Sequence, residues 1–150
     1  KPSIIKKNCS TCSLVNTLFI LGDKWSLVVV RDIFNGKKSF GEFLDSPEKI
    51  STSVLTSTLQ FMESVGILEY FFCQLDKKAI YYNLTDKGID LNPIIFEMIY
   101  WTKRNFDNTF HPLSVKWFKE YDHHSPIYVT IVNQNEYKKI RTELLDLHTH

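Results

Sequence analysis

One segment of the sequence, residues 51–65, places hydroxyl and amide side chains along one side of a predicted helix. Leu55, Leu59 and Met62 recur at the spacing of a buried helical stripe. The opposite side carries small hydroxyls and one amide, with Ser51 in front as a cap: Ser51, Ser53, Thr56, Ser57 and Gln60. Such groups can hydrogen-bond the edges of bases and phosphates, whereas a solvated helix face ordinarily carries Lys and Glu. An outer face of small hydroxyls and one amide is therefore unusual, and the two alternatives for it are contact with a hydrogen-bonding partner and a polar face that meets only water.

Five lysines flank this segment in the sequence as candidate phosphate contacts: Lys37, Lys38, Lys49, Lys77 and Lys78. Ammonium groups neutralise phosphates, and this neutralisation supplies most of the sequence-independent affinity of a protein for DNA. Taken singly, each lysine also fits ordinary solvated surface, but their shared location around a turn and a hairpin tip favours phosphate contact. The formal net charge is only +1, from 18 basic and 17 acidic residues. We therefore expect local electrostatics that limit how tightly DNA is held.

The thiol chemistry of the chain rests on three cysteines, which are too few for a secreted disulfide scaffold. Cys12 precedes a predicted helix, where the positive end of the helix dipole favours the reactive thiolate. The alternative for Cys12 is a small buried residue at a dimer interface. Cys9 and Cys12 form a C-x-x-C pair, and His123 and His124 on a distant loop are the candidates to complete a zinc site. We expect no metal site from this set.

Enzymatic activity is not expected. The sequence has no phosphate-cradling glycine loop, no H-E-x-x-H and no nucleophile elbow, so we predict no catalytic residues and no cofactor. Hydrophobic residues make up 43% of the 150 residues and aromatic residues 14%, which excludes a disordered tail protein. No apolar run reaches the length of a membrane-spanning helix, and residues 1–7 lack the apolar core of a signal peptide. The expected location is the cytoplasm, without membrane attachment.

Caps, glycines and prolines define the elements that position these residues. Helices are predicted over 14–21, with Ser13 as cap, over 24–35, with Asp23 as cap, and from Ser39 to the residues before Pro47. The helix over 51–65 ends at Gly66. Residues 68–74 and 79–84 are rich in aromatic and β-branched residues around a polar tip, which predicts a β-hairpin.

The rest of the chain is predicted as helical, with one short strand. A helix begins at Thr85–Asp86, is interrupted at Asn92–Pro93 and continues to Phe106. A short amphipathic helix around Trp117 follows, then a strand over 127–132 and a final helix over 134–147. We expect residues 9–110 to form one domain. Residues 111–150 form an extension that packs on it through four apolar side chains: Trp117, Phe118, Tyr128 and Ile131.

Several anchors in this order resemble the HxlR-type family of winged helix-turn-helix regulators. They are C-S-L-V-N-T-L-F-I-L-G-D-K-W at 12–25, G-K-K-S-F-G-E-F at 36–43, Y-N-L-T-D-K-G at 82–88, and Trp101. The resemblance covers residues 9–108. It implies a mainly α fold with a small β-hairpin wing and with N- and C-terminal dimerisation helices. The sequence departs from the family pattern at Thr58 and at Tyr70–Phe71, where the family commonly has basic residues, and at the wing tip, which lacks a proline.

The resemblance also implies a function, namely a homodimeric transcription factor that binds double-stranded DNA at a palindromic operator. The helix over 51–65 would enter the major groove, and the hairpin wing would touch phosphates. Dimer contacts fall on Leu14, Leu18, Ile99 and Trp101. In several family members the cysteine at the position of Cys12 senses oxidants or electrophiles, which makes Cys12 the candidate sensor.

Two other functions fit the same residues. The uncharged outer face of the 51–65 helix and the aromatic wing are compatible with a protein-interaction module that keeps the fold and has lost DNA affinity. A small-molecule effector could also bind in the aromatic groove between the wing and the long helix, although no polar constellation marks that groove.

Overall fold

The computed structural model describes residues 10–107 and 109–149. The elements follow one another as α1 Ser13–Leu21, α2 Lys24–Phe34, α3 Phe40–Leu44, α4 Thr52–Ser64, β1 Leu68–Phe72, β2 Ile80–Leu84, α5 Asp86–Ile89, α6 Asn92–Asn105, α7 Pro112–Tyr121 and α8 Pro126–Thr149. The described chain is therefore mainly helical with one β-hairpin, and this confirms the predicted fold class.

Local capping explains where the helices begin. Asp23 accepts hydrogen bonds from the backbone N–H groups of Trp25 and Ser26, and the side chains of Ser39 and Ser51 cap α3 and α4 in the same way. Helix α1 differs from the prediction, because its N-cap is Cys12 rather than Ser13, and no side chain caps it. Gly36 and Gly66 have φ values of 95° and 74°, in the left-handed region that lets the chain turn sharply after α2 and α4.

The core lies between α2, α4 and the hairpin. The predicted stripe of Leu55, Leu59 and Met62 is buried against Val30 and Ile33 of α2, together with residues of both strands. Burial of each such side chain contributes about 2 kcal/mol to folding. The packing fixes the roll of α4 about its axis, and it thereby turns the hydroxyl and amide face toward solvent.

The hairpin is antiparallel, with Leu68 opposite Leu84 and Phe72 opposite Ile80. Both strands are shorter than predicted, because residues 73–79 form the connecting turn, closed by hydrogen bonds from Cys73 N–H to Ala79 C=O and from Ala79 N–H to Asp76 C=O. The Tyr82 N–H donates to the Lys38 carbonyl at 2.7 Å. The segment before α3 therefore lies along the free edge of β2.

The predicted strand over 127–132 is wrong, because these residues form the first turns of α8. Pro126 occupies the start of the helix, where its missing N–H costs nothing. Because side chains on one face recur every 3.6 residues in a helix and every two in a strand, different residues become buried. Val129 and Thr130 are buried, whereas Tyr128 and Ile131, which were expected in the interface, are 52% and 51% exposed. The β-branched residues of this segment thus enter a helix, and the sheet of the described residues consists of β1 and β2.

Helix α7 packs on α6 through aromatic side chains. Trp117 lies 5.4 Å from Phe96 and 5.6 Å from Tyr100, and Phe118 lies 5.5 Å from Tyr100, measured between ring centroids. The Lys103 ammonium donates to Asp122 at 2.6 Å, just after α7 ends. Trp117 and Phe118 thus pack against aromatic side chains of α6.

Helix α8 covers the outer side of the hairpin. The Tyr137 hydroxyl accepts a hydrogen bond from the Leu84 N–H at 2.8 Å, and Arg141 donates to the Leu84 carbonyl at 3.0 Å and to Asp86 at 2.8 Å. Near the C-terminal end of α8, the His148 ring lies 5.4 Å from Phe71. The helix therefore follows β2 from its base toward the hairpin tip.

Among residues 10–107 and 109–149, no single helix has the length and apolar character needed to cross a membrane. Helices α1 and α2, which meet at an angle of 75°, have the length and apolar character of a membrane span only when the two are taken together.

Candidate nucleic-acid interface

The outer face of α4 presents the predicted base-reading side chains together. Ser51, Ser53, Thr56, Ser57 and Gln60 are all exposed. Thr58, which departs from the family pattern, is buried at 8% exposure and faces the core instead. An exposed α-helix of this diameter fits the major groove of B-DNA.

Hydrogen bonds within α4 determine what its hydroxyls can offer to a partner. The Thr56 hydroxyl donates to the Thr52 carbonyl and the Ser57 hydroxyl donates to the Ser53 carbonyl, each at 2.8 Å. With their protons engaged, both oxygens are directed as acceptors, which suits the amino groups of cytosine and adenine. Sequence analysis missed Val54, which is 38% exposed three residues before Ser57 and can contact a thymine methyl group.

A network of charged groups holds the turn that leads into α4. Arg31 donates to both carboxylate oxygens of Glu48, at 2.6 and 3.0 Å, and also to Asp32 at 2.7 Å. Lys37 donates to Asp32 at 3.2 Å and to the Ser46 hydroxyl at 2.7 Å, and that hydroxyl also donates to Asp32. We call these five residues the turn clamp. Asp32 is only 3% exposed, so its charge is stabilised by both cations.

Contacts within the turn clamp shift the pKa values of Glu48 and Arg31. The side-chain hydrogen bonds from Arg31 lower the pKa of Glu48 from 4.5 to about 2, against the opposing effect of burial. The hydrogen bond to Glu48 raises the pKa of Arg31 further above its ordinary value. Sequence analysis missed the clamp because Arg31 and Glu48 are 17 residues apart and carry no local signal.

The structure separates the five candidate lysines into different environments. Lys37 is half-buried within the turn clamp, so its ammonium is already paired. Lys77 and Lys78 are exposed in the turn of the hairpin, and Lys49 is exposed just before α4 with a φ of 55°. The Lys38 ammonium lies 4.8 Å from the centre of the Tyr81 ring on β2. Lys49, Lys77 and Lys78 are therefore exposed, Lys38 is half-buried and Lys37 is paired.

Helices α1 and α6 expose large apolar side chains. Leu14 and Leu18 are 64% and 56% exposed on α1, and Trp101 is 55% exposed on α6. Pro93, Ile94, Met98 and Trp101 line an apolar cleft of about 680 Å³ along α6. Ile99 is half-buried on the same helix. The apolar side chains that line the cleft on α6 form one continuous surface, and surface of this kind marks an interaction site.

Cys12 is exposed at the N-cap of α1, whereas Cys73 is buried on the hairpin. The Cys12 N–H donates to the Ser10 hydroxyl, and its carbonyl accepts from the Asn16 N–H, which fixes the backbone around the thiol. Cys9, the other member of the C-x-x-C pair, lies outside the described residues. In the part of the chain that the structure describes, no three His, Cys, Asp or Glu side chains come together as metal ligands.

A helix-turn-helix made by α3 and α4, supported by α2 and followed at once by a hairpin, defines a winged helix-turn-helix protein with β1 and β2 as the wing. The family model for HxlR-like helix-turn-helix proteins matches residues 20–110, and the chain belongs to that family. Helices α7 and α8 lie beyond the matched range.

Individual relatives agree with this assignment. The chain is 31% identical over 103 residues to the Bacillus subtilis HTH-type transcriptional regulator YybR, a match that covers 69% of this chain and 82% of YybR. An HTH-type transcriptional regulator of Synechocystis is 30% identical over 87 residues, and the chain spans 64% of its length. The solved structure of the redox regulator HypR in its oxidized form superimposes with a TM-score of 0.58 at 31% identity, covering 65% of this chain and all of HypR.

Proposed function

We propose that this HxlR-type regulator acts on transcription by binding double-stranded DNA as a homodimer, with α4 of each protomer in the major groove of a palindromic operator. The observation that carries the proposal is the exposed face of Ser53, Thr56, Ser57 and Gln60, presented on a helix whose entry turn is fixed by the turn clamp. A dimer of such units reads two half-sites about one helical turn apart.

Phosphate contact in this proposal comes from Lys38, Lys49, Lys77 and Lys78. Lys37 is left out, because its ammonium neutralises Asp32 inside the turn clamp. Four lysines on each of two protomers give a slope of log K against log salt of about −7. DNA affinity is therefore strongly salt-dependent even though the net charge of the chain is only +1.

The experiment is a set of DNA titrations at fixed salt with fragments from upstream of the chain's own gene, located by footprinting. The double variant Ser57→Ala/Gln60→Ala removes two outward polar groups without touching the core, and we expect affinity for the footprinted site to fall about tenfold to a hundredfold. Thr142→Ala is the matched control, because the Thr142 hydroxyl donates to its own helix in the same way, on α8. Equal affinities for the wild type and the double variant would contradict this use of α4.

The exposed apolar faces of α1 and α6 support the homodimer. Leu14, Leu18 and Trp101 are each more than half exposed in the single chain, and a second copy is the partner that covers the same surface on both molecules. Sedimentation velocity tests this with Leu18→Glu, which we expect to be monomeric at concentrations where the wild type is dimeric. Leu75→Glu is the control, since Leu75 is 96% exposed at the wing tip. A dimeric Leu18→Glu protein would refute the proposed interface.

An oxidant response through Cys12 is the regulatory part of the proposal. Cys12 is exposed at the start of α1, on the helix that carries Leu14 and Leu18, and the related HypR is described as a redox regulator. Diamide takes two electrons and two protons from Cys12 and a second thiol, which leaves a disulfide and the reduced hydrazine. We expect diamide to change the DNA affinity of the wild type and not that of Cys12→Ser. Cys73→Ser, which removes the buried thiol, retains the response. A Cys12→Ser protein that responds like the wild type would exclude this role.

The protein-interaction module is the second candidate, favoured by the exposed aromatic side chains of the wing, with Tyr70 at 46% and Phe72 at 56% exposure. The same titrations distinguish the two functions. Binding that is undetectable at low salt, or that is independent of salt, favours the interaction module, because a phosphate-contacting protein must release counterions.

A further inference from the structure

A cleft of about 190 Å³ lies between α8 and the winged helix-turn-helix domain. Its floor and walls are mainly apolar and aromatic, and they include Ile33, Tyr82, Tyr137, Leu144 and Leu147. One wall comes from α2 and β2 and the other from α8, which lies outside the range matched by the family. The cleft therefore exists only because this chain carries the C-terminal helix.

Hydrogen bonds and ring packing within the protein itself hold the walls of the cleft in place. The hydroxyl of Tyr137 accepts from the Leu84 N–H, and the Tyr137 ring packs edge-on against Phe34 with centroids 5.2 Å apart. Arg141 is tied to the Leu84 carbonyl and to Asp86. A site with walls fixed in advance binds a ligand without having to order side chains first, which lowers the entropic cost of binding.

One cation at the rim is available to a ligand. Lys37 is paired with Asp32, and Arg141 with Asp86. The Lys38 ammonium lies over the Tyr81 ring and has no carboxylate within 4.0 Å in the described part of the chain. Its charge acts at longer range on Glu42, whose carboxylate accepts a hydrogen bond from the Lys38 backbone N–H. The site is thus a half-open cleft with mainly apolar walls, and Lys38 is the cation in its lining that is not already in an ion pair.

We propose that this cleft binds a small aromatic carboxylate with a single ring. An enclosed apolar cavity of about 150 Å³ is sufficient to hold a benzene ring, so the volume here matches one ring and its carboxylate. The ring would lie between Tyr137 and the leucines of α8, and the carboxylate would accept a charge-assisted hydrogen bond from Lys38. The carboxylate of Glu143, which also lines the cleft, repels an anionic ligand, so the charge of Lys38 must offset it and a dianion is disfavoured.

The position of Lys38 gives the site a regulatory consequence, which rests on the proposed DNA-binding function. Lys38 is one of the four lysines assigned to phosphate, so a bound carboxylate removes a phosphate contact from each protomer. We expect the ligand to weaken DNA binding and to reduce the magnitude of the salt slope by about 2 for the dimer.

The test uses benzoate as the probe and the full chain without DNA, observed by two-dimensional amide NMR. We expect saturable shifts of the amide signals of residues lining the cleft. Leu144→Trp fills the cleft and is expected to weaken benzoate binding at least tenfold. Lys139→Trp is the matched control, because Lys139 is exposed on the same helix and does not line the cleft. Lys38→Gln, which removes the ammonium and keeps most of the side-chain volume, is also expected to weaken binding tenfold.

Chemical controls separate this site from general effects of anions or solvents. Benzyl alcohol, which has the ring without the charge, is expected to bind more weakly than benzoate and equally to the wild type and Lys38→Gln. Acetate at equal ionic strength is expected to leave the cleft signals unmoved. Absence of saturable benzoate shifts at the cleft, equal shifts with acetate, or unchanged affinity in Lys38→Gln would overturn the proposal.

A second arm measures DNA affinity with and without benzoate. Because the first arm contains no DNA, failure of benzoate to bind leaves the DNA-binding proposal intact, and failure of DNA binding leaves the ligand site intact. Benzoate that binds the cleft and leaves the DNA affinity of the wild type unchanged would refute the regulatory consequence.

Discussion

Replacement of Glu48 by Gln tests the turn clamp directly. Glu48 receives two hydrogen bonds from Arg31, at 2.6 and 3.0 Å, and its side chain is 28% exposed. The drop in its pKa from 4.5 to about 2 corresponds to about 3 kcal/mol of folding free energy if none of the interaction is screened. Because part of the carboxylate meets solvent, we expect Glu48→Gln to lower the free energy of unfolding at neutral pH by about 1–2 kcal/mol.

The lowered pKa of Glu48 determines how the effect of Glu48→Gln on stability changes with pH. The pKa of Glu48 is lower in the folded chain than in the unfolded chain, so folding favours the ionised form. The stabilisation is complete above the ordinary pKa of 4.5, and it is lost as the pH falls toward about 2. The difference in unfolding free energy between the wild type and Glu48→Gln is therefore largest above about pH 5 and shrinks below it.

Urea unfolding followed by circular dichroism, repeated between pH 7 and pH 3, measures this difference. Glu97→Gln is the matched control, because Glu97 pairs with Arg104 at 3.6 Å where both side chains are 56% exposed, and an exposed pair contributes about 0–1 kcal/mol. A Glu48→Gln protein as stable as the wild type at pH 7, or a difference that grows on acidification, would refute the stabilising role assigned to the clamp.

Further predictions concern α8 and the wing. Tyr137→Phe leaves the buried Leu84 N–H without its acceptor, and we expect a loss of about 1–2 kcal/mol in urea unfolding, against no loss in the exposed Tyr128→Phe. Burial raises the pKa of Tyr137 from 10.0 to about 12, so the wild type loses stability as the pH rises through this range, and Tyr137→Phe loses less. Lys77→Ala/Lys78→Ala reduces the magnitude of the salt slope of DNA binding by about 4 for a dimer, with little change in sequence preference. A slope equal to that of the wild type would remove these lysines from the phosphate contacts.

The parts of the fold that the sequence predicts correctly are those determined by neighbouring residues. Asp23 and Ser51 cap helices through backbone N–H groups two or three residues away, and Gly36 and Gly66 end helices through their own backbone conformation. These capping and turn residues act on backbone groups only a few positions away, so α2, α4 and the hairpin are predictable from the local sequence. The stripe of apolar residues on α4 then determined which of its polar residues face outward.

The features that escaped prediction depend on distant partners. Arg31 and Glu48 meet only when the turn between α3 and α4 folds back on α2. Ile127 to Val132 alternate in the manner of a strand, but they form the first turns of α8, the helix that packs on α6. The cleft beside Lys38 needs both α8 and the wing, which lie far apart in the sequence.

The contacts between α8 and the base of the wing also have a consequence for synthesis of the chain on the ribosome. Leu84 is bonded to Tyr137 and Arg141, which follow it by 53 and 57 residues. The hairpin therefore leaves the ribosome well before the helix that covers it has been made, and its outer side remains bare for that interval. Contacts of such long separation form late in folding. We expect the nascent chain to carry a folded helix-turn-helix with an uncovered wing until the residues of α8 that contact the wing have emerged from the ribosome. Chaperones would bind during this interval.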